Sequence, residues 1–415
     1  MKHKKISVLG MGYIGLPTSI MLASRGFDVV GYDIKKEVVD SVNAGLLHFV
    51  EPGLEDALKQ VIDSNNLVAK NELKESDVYI ICVPTPVKEA KDNSSLLPDL
   101  SYVFSAVENI AKVLKNGDLI ILESTSPVGT TQKICDFISD LRKDLKMPND
   151  DCEGDVCIAY CPERVMPGNV IFELVENDRV VGGISKQCSI KAAKLYESFL
   201  KGNCYKTNAR TAEMAKLTEN SSRDNQIAFA NEVSMVCDKN DINVWELIDI
   251  CNKHPRVNIL QPGPGVGGHC IAVDPWFIIS NNLTESQLIR KAREVNLSKT
   301  MWTINKIKEK INSIKSAPNV VIFGITFKPN IDDVRESPAL KITEELIKNF
   351  KDEISVVEPN IKEPPEVLND VKFFQSISEV NFKIDLAIVL VDHSDFLQKD
   401  YFKKAVEILD FKGIS

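Results

Sequence analysis

The N-terminal stretch ending at Asp33 constrains the fold of this chain more than any other. An apolar run, Ile6 to Gly10, leads into the pattern G-x-G-x-x-G at Gly10, Gly12 and Gly15. A helical stretch, LPTSIMLASRG, follows, and a second β-rich run, FDVVGYD, ends at Asp33. Strand, glycines, helix, strand and terminal acid occur in the order of the first βαβ unit of a dinucleotide-binding fold.

The residue types of this stretch indicate how a dinucleotide is bound. Glycines allow a tight turn and close approach of the backbone to a pyrophosphate at the helix N-terminus, so Tyr13 and Ile14 between them fall in the same loop. A carboxylate at Asp33 accepts from a ribose hydroxyl and repels a 2′-phosphate. The cofactor expected is NAD, although Lys35 and Lys36 keep NADP open.

Further apolar runs follow at helix-separated intervals and predict buried parallel strands. They are VYIICVPTP (78–86), DLIILESTSPVGT (118–130) and VCIAYCPERVMPG (156–168). Since ligands bind beyond the carboxyl ends of strands in an open α/β sheet, Thr85, Thr125 and Glu163 are expected at one edge. For each threonine, ordinary loop capping is the alternative.

The middle of the chain predicts a long helical region over 211–251, because this stretch contains neither proline nor glycine. Lys216, Asn220 and Arg223 fall at i, i+4 and i+7 and form a polar stripe. Such a stripe is either a solvated face or the wall of a pocket, and both interpretations stay open.

The segment QPGPGVGGHCIAVD, residues 261–274, is too rich in glycine and proline for a helix or a strand. It displays Cys270 beside His269 and four residues before Asp274. A thiol on such a loop, near an imidazole and a carboxylate, has the setting of an activated nucleophile. A buried cysteine that only fills space is the alternative.

In the C-terminal third, after a helix predicted over 285–313, the alternation of strands and helices resumes. The runs NVVIFGITFKP, ISVVEPN and DLAIVLVDHSDF predict a second, smaller Rossmann-like unit. This part lacks the full G-x-G-x-x-G pattern, so it is expected to bind something other than a second NAD. The fold class is therefore α/β, with two Rossmann-like doubly wound domains joined by a central helical dimerisation region.

Composition excludes several classes of function. The net charge of -9 over 415 residues argues against a nucleic-acid-binding surface. No apolar stretch is long enough to span a membrane, and the N-terminus does not have the pattern of a signal peptide, so a cytoplasmic protein is expected. The ten cysteines include no C-x-x-C pair, and no metal site is expected.

Six motifs, in order, resemble the UDP-glucose/GDP-mannose dehydrogenase family along the whole chain. They are GMGYIGLP, ESTSPVGTT, CPERVMPG, AEMAKLTEN, GVGGHCIAVD and GITFKPNIDDVRESPA. Within the family, the runs NKHPRVNILQPGPGVGGHCIAVDPWF and CPERVMPGNVIFELVENDRVVGG are most similar to the branch that oxidises UDP-N-acetyl-D-mannosamine. The resemblance implies an NAD-binding domain over 1–203, a central helical and dimerisation domain with the cysteine loop over 204–314, and a UDP-sugar-binding domain over 315–415.

The resemblance also implies a four-electron oxidation of the sugar's C6 hydroxymethyl group to a carboxylate with two NAD. Asp274, through a water held with Thr125, is similar to the family's base. The Cys270 thiolate forms a thiohemiacetal and then a thioester. Lys216 and Asn220 stabilise the oxyanion, and Glu163 helps to activate the hydrolytic water.

Other site residues are also implied by the resemblance. Arg256 is expected to reach the substrate of a neighbouring subunit in a homodimer, and Thr85, Thr125 and Arg335 to contact the cofactor. The expected substrate-binding residues are Glu163, Arg164, Val165, Lys216, Asn220, Arg223, His254, Arg256, Gly267 and Lys328. Without the resemblance, a surface ion-pair cluster is the alternative for Lys328 and Arg335 beside two aspartates.

The sugar is the least constrained part of the expectation. Pro167 and Val273 stand where UDP-glucose dehydrogenases commonly carry glutamate and lysine, which agrees with the N-acetylhexosamine branch, as does His269. UDP-N-acetylglucosamine and UDP-glucose remain alternative substrates. A two-electron hydroxyacid-type dehydrogenase and a non-catalytic nucleotide-sugar or NAD sensor are alternatives of other classes.

Overall fold

The computed structural model describes residues 4–49, 51–89, 96–150, 152–165, 168–268, 270–314, 317–398 and 401–415. The chain divides into two compact units, of which the first comprises residues 1–219 and 276–281 and the second residues 220–275 and 282–415. The division into three domains with boundaries at 203/204 and 314/315 stays a prediction. His269 and Pro167 lie outside the described residues.

The first unit is built on a large sheet with helices on both faces. Its strands are β1 (Lys5–Leu9), β2 (Asp28–Tyr32), β3 (Leu67–Lys70), β4 (Val78–Ile81), β5 (Val87–Glu89), β6 (Leu96–Pro98), β7 (Leu119–Leu122), β8 (Cys157–Tyr160), β9 (Arg179–Gly183) and β10 (Cys204–Asn208). Its helices are α1 (Gly15–Ser24), α2 (Lys36–Asn43), α3 (Leu54–Asp63), α4 (Ser101–Val113), α5 (Thr130–Leu141), α6 (Val170–Glu176) and α7 (Lys186–Tyr196).

The strand order of this sheet is β10-β9-β8-β7-β4-β1-β2-β3 in the described residues, and β5 pairs with β6 separately. Strand β1 pairs in parallel with β2 on one side and β4 on the other, so the strand order reverses beside β1. Ligands of doubly wound sheets bind at such a reversal, which places the loop after β1 at the expected position. Strand β9 runs antiparallel to β8, which the sequence pattern did not indicate.

The central strands are buried on both faces, because each side of the sheet is covered by its own hydrophobic cluster. Side chains of α1, α3, α6 and α7 pack in one cluster, while those of α4 and α5 pack in the other. This explains why β4, β7 and β8 are continuous apolar runs rather than alternating ones.

The helical region expected over 211–251 consists of two helices. The structure has α8 (Ala209–Lys239) and a separate α9 (Val244–Cys251). Asp241 between them adopts a left-handed backbone conformation with φ of 54°, and the Asn243 side chain accepts hydrogen bonds from the first turn of α9. Asn and Asp favour such breaks because they tolerate this conformation and cap helices well.

The second unit carries the other sheet. Most of α10 (Asp274–Ile279) belongs to the first unit. The later elements of the second unit are α11 (Gln287–Ser313), β11 (Val320–Phe323), α12 (Pro338–Phe350), β12 (Ile354–Val357), β13 (Lys372–Phe374), β14 (Ile384–Val389) and β15 (Ala405–Asp410), with short 3₁₀ turns at Glu366–Leu368, Ile377–Glu379 and Ser394–Leu397. The described strands are all parallel, in the order β13-β12-β11-β14-β15. The predicted α/β class with two doubly wound sheets is confirmed. In the part of the chain that the structure describes, no helix is long and apolar enough to cross a membrane.

Candidate active site

The loop after β1 has the geometry of a dinucleotide cradle. Gly10 has a φ of 93°, and a Cβ there would lie 2.7 Å from the Cys82 carbonyl oxygen, while one on Gly15 would lie 1.8 Å from the Gly10 oxygen. By contrast, a Cβ on Gly12 meets no described atom within 4 Å. Gly10 and Gly15 are therefore required for packing, whereas the space beside Gly12 is open among the described residues.

Asp33 closes this loop at the end of β2. Its carboxylate accepts hydrogen bonds from the backbone N–H groups of Met11 and Lys35, both at 2.9 Å. The acid is thereby held beside the glycine loop, as required for contact with a ribose hydroxyl. Tyr13 stacks on Phe49, and Ile14 precedes α1 at a helix end that no described side chain caps.

The predicted strand-end threonines lie together. The Thr85 hydroxyl, after β4, donates to the Thr125 carbonyl oxygen, after β7, at 2.7 Å. Neighbouring parallel strands end at the same edge of a sheet, which is why residues forty positions apart meet here.

Glu163, after β8, is held by two donors. One carboxylate oxygen accepts from the Arg164 backbone N–H at 2.6 Å and the other from the Arg179 guanidinium at 2.7 Å. Arg179 is only 3% exposed and also lies 3.7 Å from Glu123. Sequence reasoning missed Arg179 and Glu123, although a charge at the start of the apolar strand RVVGG and another directly after LIIL were visible signals.

Burial keeps the neighbouring cysteines in their thiol form. It raises the pKa of Cys161 to about 12 and the pKa of Cys82 well above its usual value, with Glu123 adding to both shifts. Burial also raises the pKa of Glu123, and Arg179 opposes that shift. These cysteines are poor nucleophiles at neutral pH, in contrast to Cys270, which is exposed.

Two predicted substrate residues of this unit are occupied by protein contacts. The Arg164 guanidinium pairs with Glu219 at 2.7 Å and donates to the Asp178 carbonyl oxygen at 3.0 Å. Val165 packs, partly buried, against the larger hydrophobic cluster. Lys216 is buried on α8 and belongs to the first unit, whereas Asn220, one turn further, belongs to the second.

In the second unit, the fold brings Asn220 and Asp274 together. The Asn220 amide donates to the Asp274 carboxylate at 2.5 Å, and Asp274 is 2% exposed. The Asp274 backbone N–H donates to the Cys270 carbonyl oxygen at 2.8 Å, which closes a turn that leads into α10. The thiol-bearing residue and the predicted base are thus one turn apart.

The glycines before Cys270 pack against the segment that follows β11. A Cβ on Gly267 would lie 2.6 Å from the Glu336 carbonyl oxygen, and one on Gly268 would lie 2.9 Å from the Phe327 ring. The Gly268 N–H also donates to the Arg335 carbonyl oxygen at 3.3 Å. Only glycine allows two irregular backbones to approach this closely.

The predicted cations of the second unit differ in their surroundings. Arg335 forms a forked ion pair with Asp333 at 2.6 Å, and Lys328 is half-buried. The backbone near Lys328 is held by the buried His393, whose ring Nδ1 accepts a hydrogen bond from the Asn330 N–H at 2.9 Å. Arg223, His254 and Arg256 are exposed.

Comparison with known proteins shows which family these motifs belong to. Three models of the UDP-glucose/GDP-mannose dehydrogenase family match, the NAD binding domain over residues 4–200, the central domain over 210–298 and the UDP binding domain over 321–414. The chain belongs to the UDP-glucose/GDP-mannose dehydrogenase family. The glycine cradle and Asp33 therefore lie in the family's NAD-binding domain, and the segment with Lys328 and Arg335 lies in its UDP-binding domain.

Relatives of this dehydrogenase cover almost its whole length. It is 50% identical over 404 residues to the UDP-N-acetyl-D-mannosamine dehydrogenase of Escherichia coli K12, with 95% of each chain covered. It is 48% identical to the NDP-N-acetyl-D-galactosaminuronic acid dehydrogenase of Ralstonia nicotianae, with 99% of this chain and 96% of the other covered. The solved UDP-D-ManNAc dehydrogenase of Pyrococcus horikoshii superposes with a TM-score of 0.88 at 39% identity, with 99% and 96% covered.

Proposed function

We propose that this dehydrogenase oxidises UDP-N-acetyl-D-mannosamine at C6 to UDP-N-acetyl-D-mannosaminuronate with NAD, through a covalent intermediate on Cys270. The observation that carries the proposal is the pairing of Asn220 with Asp274 one turn after an exposed thiol. The chain is 50% identical to a UDP-N-acetyl-D-mannosamine dehydrogenase, which supports the choice of sugar.

The proposed reaction balances as R–CH₂OH + 2 NAD⁺ + H₂O → R–COO⁻ + 2 NADH + 3 H⁺. NAD, when bound, accepts a hydride in each of the two oxidation steps, and the residues that fit it are Gly12 and Asp33. Asp274 takes the hydroxyl proton through a water, and the Cys270 thiolate then adds to the aldehyde carbon. After the second oxidation the sulfur is bound as a thioester, and water cleaves the C–S bond to release the carboxylate.

Four further residues have proposed roles that rest on the family's motifs. Lys216 and Asn220 stabilise the oxyanion of the tetrahedral intermediates, Glu163 activates the hydrolytic water, and Thr125 helps to hold the water of the base. The hydrogen bond from Arg179 to Glu163 supports the role of Glu163, because a carboxylate held in one orientation is suited to positioning a water.

The substrate contacts are proposed on the same basis. Lys328 pairs with the diphosphate, and Arg335 approaches the cofactor. Arg164, Val165, Arg223, His254, Arg256 and Gly267 complete the proposed set around the UDP-sugar. The packing of Gly267 on the Glu336 backbone supports a role for its main chain rather than for a side chain.

The NADH yield tests the reaction and the sugar together. Limiting UDP-ManNAc, UDP-GlcNAc, UDP-glucose and UDP-GalNAc are offered separately with excess NAD. Two NADH per UDP-ManNAc, with little from the others, is expected, and Cys270→Ser should abolish uronate formation. One NADH per substrate contradicts the covalent step. Turnover of UDP-GalNAc alone would instead favour the activity of the Ralstonia relative.

We also propose a homodimer formed through the central helices. Phe229 and Val236 on one face of α8, and Leu297 and Met301 on one face of α11, are each more than half exposed. Such apolar faces are typical of protein interfaces. Light scattering should give twice the chain mass, and Phe229→Glu should reduce it; a wild-type monomer contradicts the dimer.

Complementation tests whether Arg256 acts across that interface. Cys270→Ser and Arg256→Ala subunits are each expected to be inactive alone. If Arg256 serves the partner's site, a mixed dimer has one site with both residues intact and regains activity. Absence of recovery in a dimer shown to be mixed means that Arg256 acts within its own subunit.

The proposed location is the cytoplasm. Cysteines that form no disulfide, such as Cys82 and Cys161, agree with a reducing compartment. Cell fractionation checks this, and recovery outside the cytoplasmic fraction would contradict it.

A further inference from the structure

The loop that carries Cys270, residues 263–274, is bordered by buried polar side chains of α8 and α11. These side chains are Asp224 and Asn231 on α8 and Arg293 and Asn296 on α11, and each is at most 2% exposed. Buried polar groups are costly unless each finds a partner, so the contacts of this set indicate what it holds in place.

The four side chains form one chain of hydrogen bonds that joins two points of the loop. The Gly263 N–H donates to the Asn231 amide oxygen at 2.9 Å, and the Asn231 amide nitrogen donates to the Asn296 oxygen at 2.9 Å. The Asn296 nitrogen donates to Asp224 at 2.8 Å.

Arg293 completes the chain at the other end of the loop. One guanidinium nitrogen donates both to Asp224 at 2.6 Å and to the Ile271 carbonyl oxygen at 3.3 Å. Ile271 directly follows Cys270.

The partners at the two ends determine the orientation of every amide between them. A backbone N–H only donates, so the Asn231 oxygen faces Gly263 and its nitrogen faces Asn296. A carboxylate paired with a buried guanidinium only accepts, so the Asn296 nitrogen faces Asp224. Reversal of either amide would break bonds on both sides, and the chain therefore has a single arrangement.

We propose that Arg293, Asp224, Asn296 and Asn231 are positioning residues that hold the cysteine loop in its reactive geometry. Arg293 fixes the carbonyl group beside Cys270, Asn231 fixes the start of the loop, and Asn220 fixes its end through Asp274. This inference rests on the proposed role of Cys270. A displaced nucleophile lowers the rate of chemistry more than the affinity for substrate.

Arg293→Lys in the full-length enzyme tests the proposal, because lysine keeps the charge opposite Asp224 but its side chain is one bond shorter, so its nitrogen does not reach the position from which Arg293 donates to both Asp224 and Ile271. We expect kcat to fall by about 10- to 100-fold, with the KM values for NAD and UDP-sugar within about threefold. Amide hydrogen exchange over residues 263–274 should become about tenfold faster. Lys306→Met is the matched control, since Lys306 pairs with Asp238 across the same two helices; it should change neither quantity.

Two outcomes overturn the inference. One is a folded Arg293→Lys enzyme with kcat within about twofold of wild type. The other is a loss of kcat without faster exchange in the loop. If Arg293→Lys does not fold, Asn231→Ser decides by the same criteria, because it frees the Gly263 N–H and leaves the Arg293–Asp224 pair intact. Amide exchange in the loop does not depend on the chemistry of Cys270. Failure of the proposed function would appear instead as two NADH per substrate from Cys270→Ser, so it is distinguishable from failure of this inference.

Discussion

Asn220 and Asp274 lie 54 positions apart and are joined by a hydrogen bond of 2.5 Å. The bond connects the polar stripe of α8 with the first residue of α10, just beyond the turn that Cys270 begins. A carboxylate that is 2% exposed and bound by an amide has a fixed orientation. Two residues selected for different reasons in the sequence therefore form one feature of the fold.

Removal of the Asn220 amide is expected to impair catalysis much more than stability. Asn220→Ala leaves Asp274 without this donor and removes a proposed oxyanion ligand, so kcat should fall by about 100-fold or more. Steady-state kinetics with thermal unfolding measures both effects. Asn240→Ala, in the exposed turn after α8, is the control. Unchanged kcat in Asn220→Ala would remove both proposed roles.

Replacement by alanine should have different effects at two glycines of the cofactor loop. Gly12→Ala adds a methyl group where no described atom lies within 4 Å, so the protein should fold normally while the KM for NAD rises by about tenfold. Gly10→Ala places a methyl group 2.7 Å from a carbonyl oxygen at a φ of 93° and should lower stability by about 1–3 kcal/mol. Chemical denaturation and NAD titration separate the two. Equal stability losses would contradict the open cradle at Gly12.

Loss of Arg179 should destabilise the first unit strongly. Arg179→Met leaves Glu123 and Glu163 buried without their cation, which costs about 3–5 kcal/mol. The double variant Arg179→Met/Glu123→Gln should recover part of this loss because one buried charge is removed. Lys201→Met breaks an exposed pair with Glu176 and should cost at most about 1 kcal/mol. Urea denaturation gives all three values, and a loss for Arg179→Met no larger than that of the control contradicts the prediction.

Lys299 should make stability depend on pH in the neutral to alkaline range. Burial lowers the pKa of Lys299 to about 7, and Asp238 opposes this shift. Between that value and the usual 10.5, the unfolded chain binds the extra proton, so the contribution of Lys299 to stability rises with pH. Below pH 7 the full penalty of a buried cation is present.

The variant Lys299→Met isolates this effect. Its stability relative to wild type should be more favourable at pH 6 than at pH 9 by about 2 kcal/mol. The bond from Lys299 to Ser234 is lost at both pH values, so the comparison removes its contribution. Denaturation curves at the two pH values give the difference, and a stability difference independent of pH would show that Lys299 keeps its ordinary pKa.

Local sequence patterns predicted the strands that are buried on both faces of a sheet, and one long helix. The apolar runs at 78–86, 118–130 and 319–329 each contain a strand, and the helix predicted over 285–313 is α11. The pattern did not indicate the break at residues 240–243, because the absence of proline and glycine does not exclude a break at Asn and Asp. It also missed β15, whose central residues are exposed at the edge of the sheet and lack a continuous apolar signal.

The sequence by itself determined the order of strands and glycines, the dinucleotide cradle, the family and the nucleophile candidate, because each depends on residues close together in the chain. Only the tertiary structure decided which distant groups meet. The contacts of Glu163 with Arg179, and of Ile271 with Arg293, join separate elements, and no spacing along the chain encodes them. Buried polar groups must find partners, and only packing determines which partners are within reach.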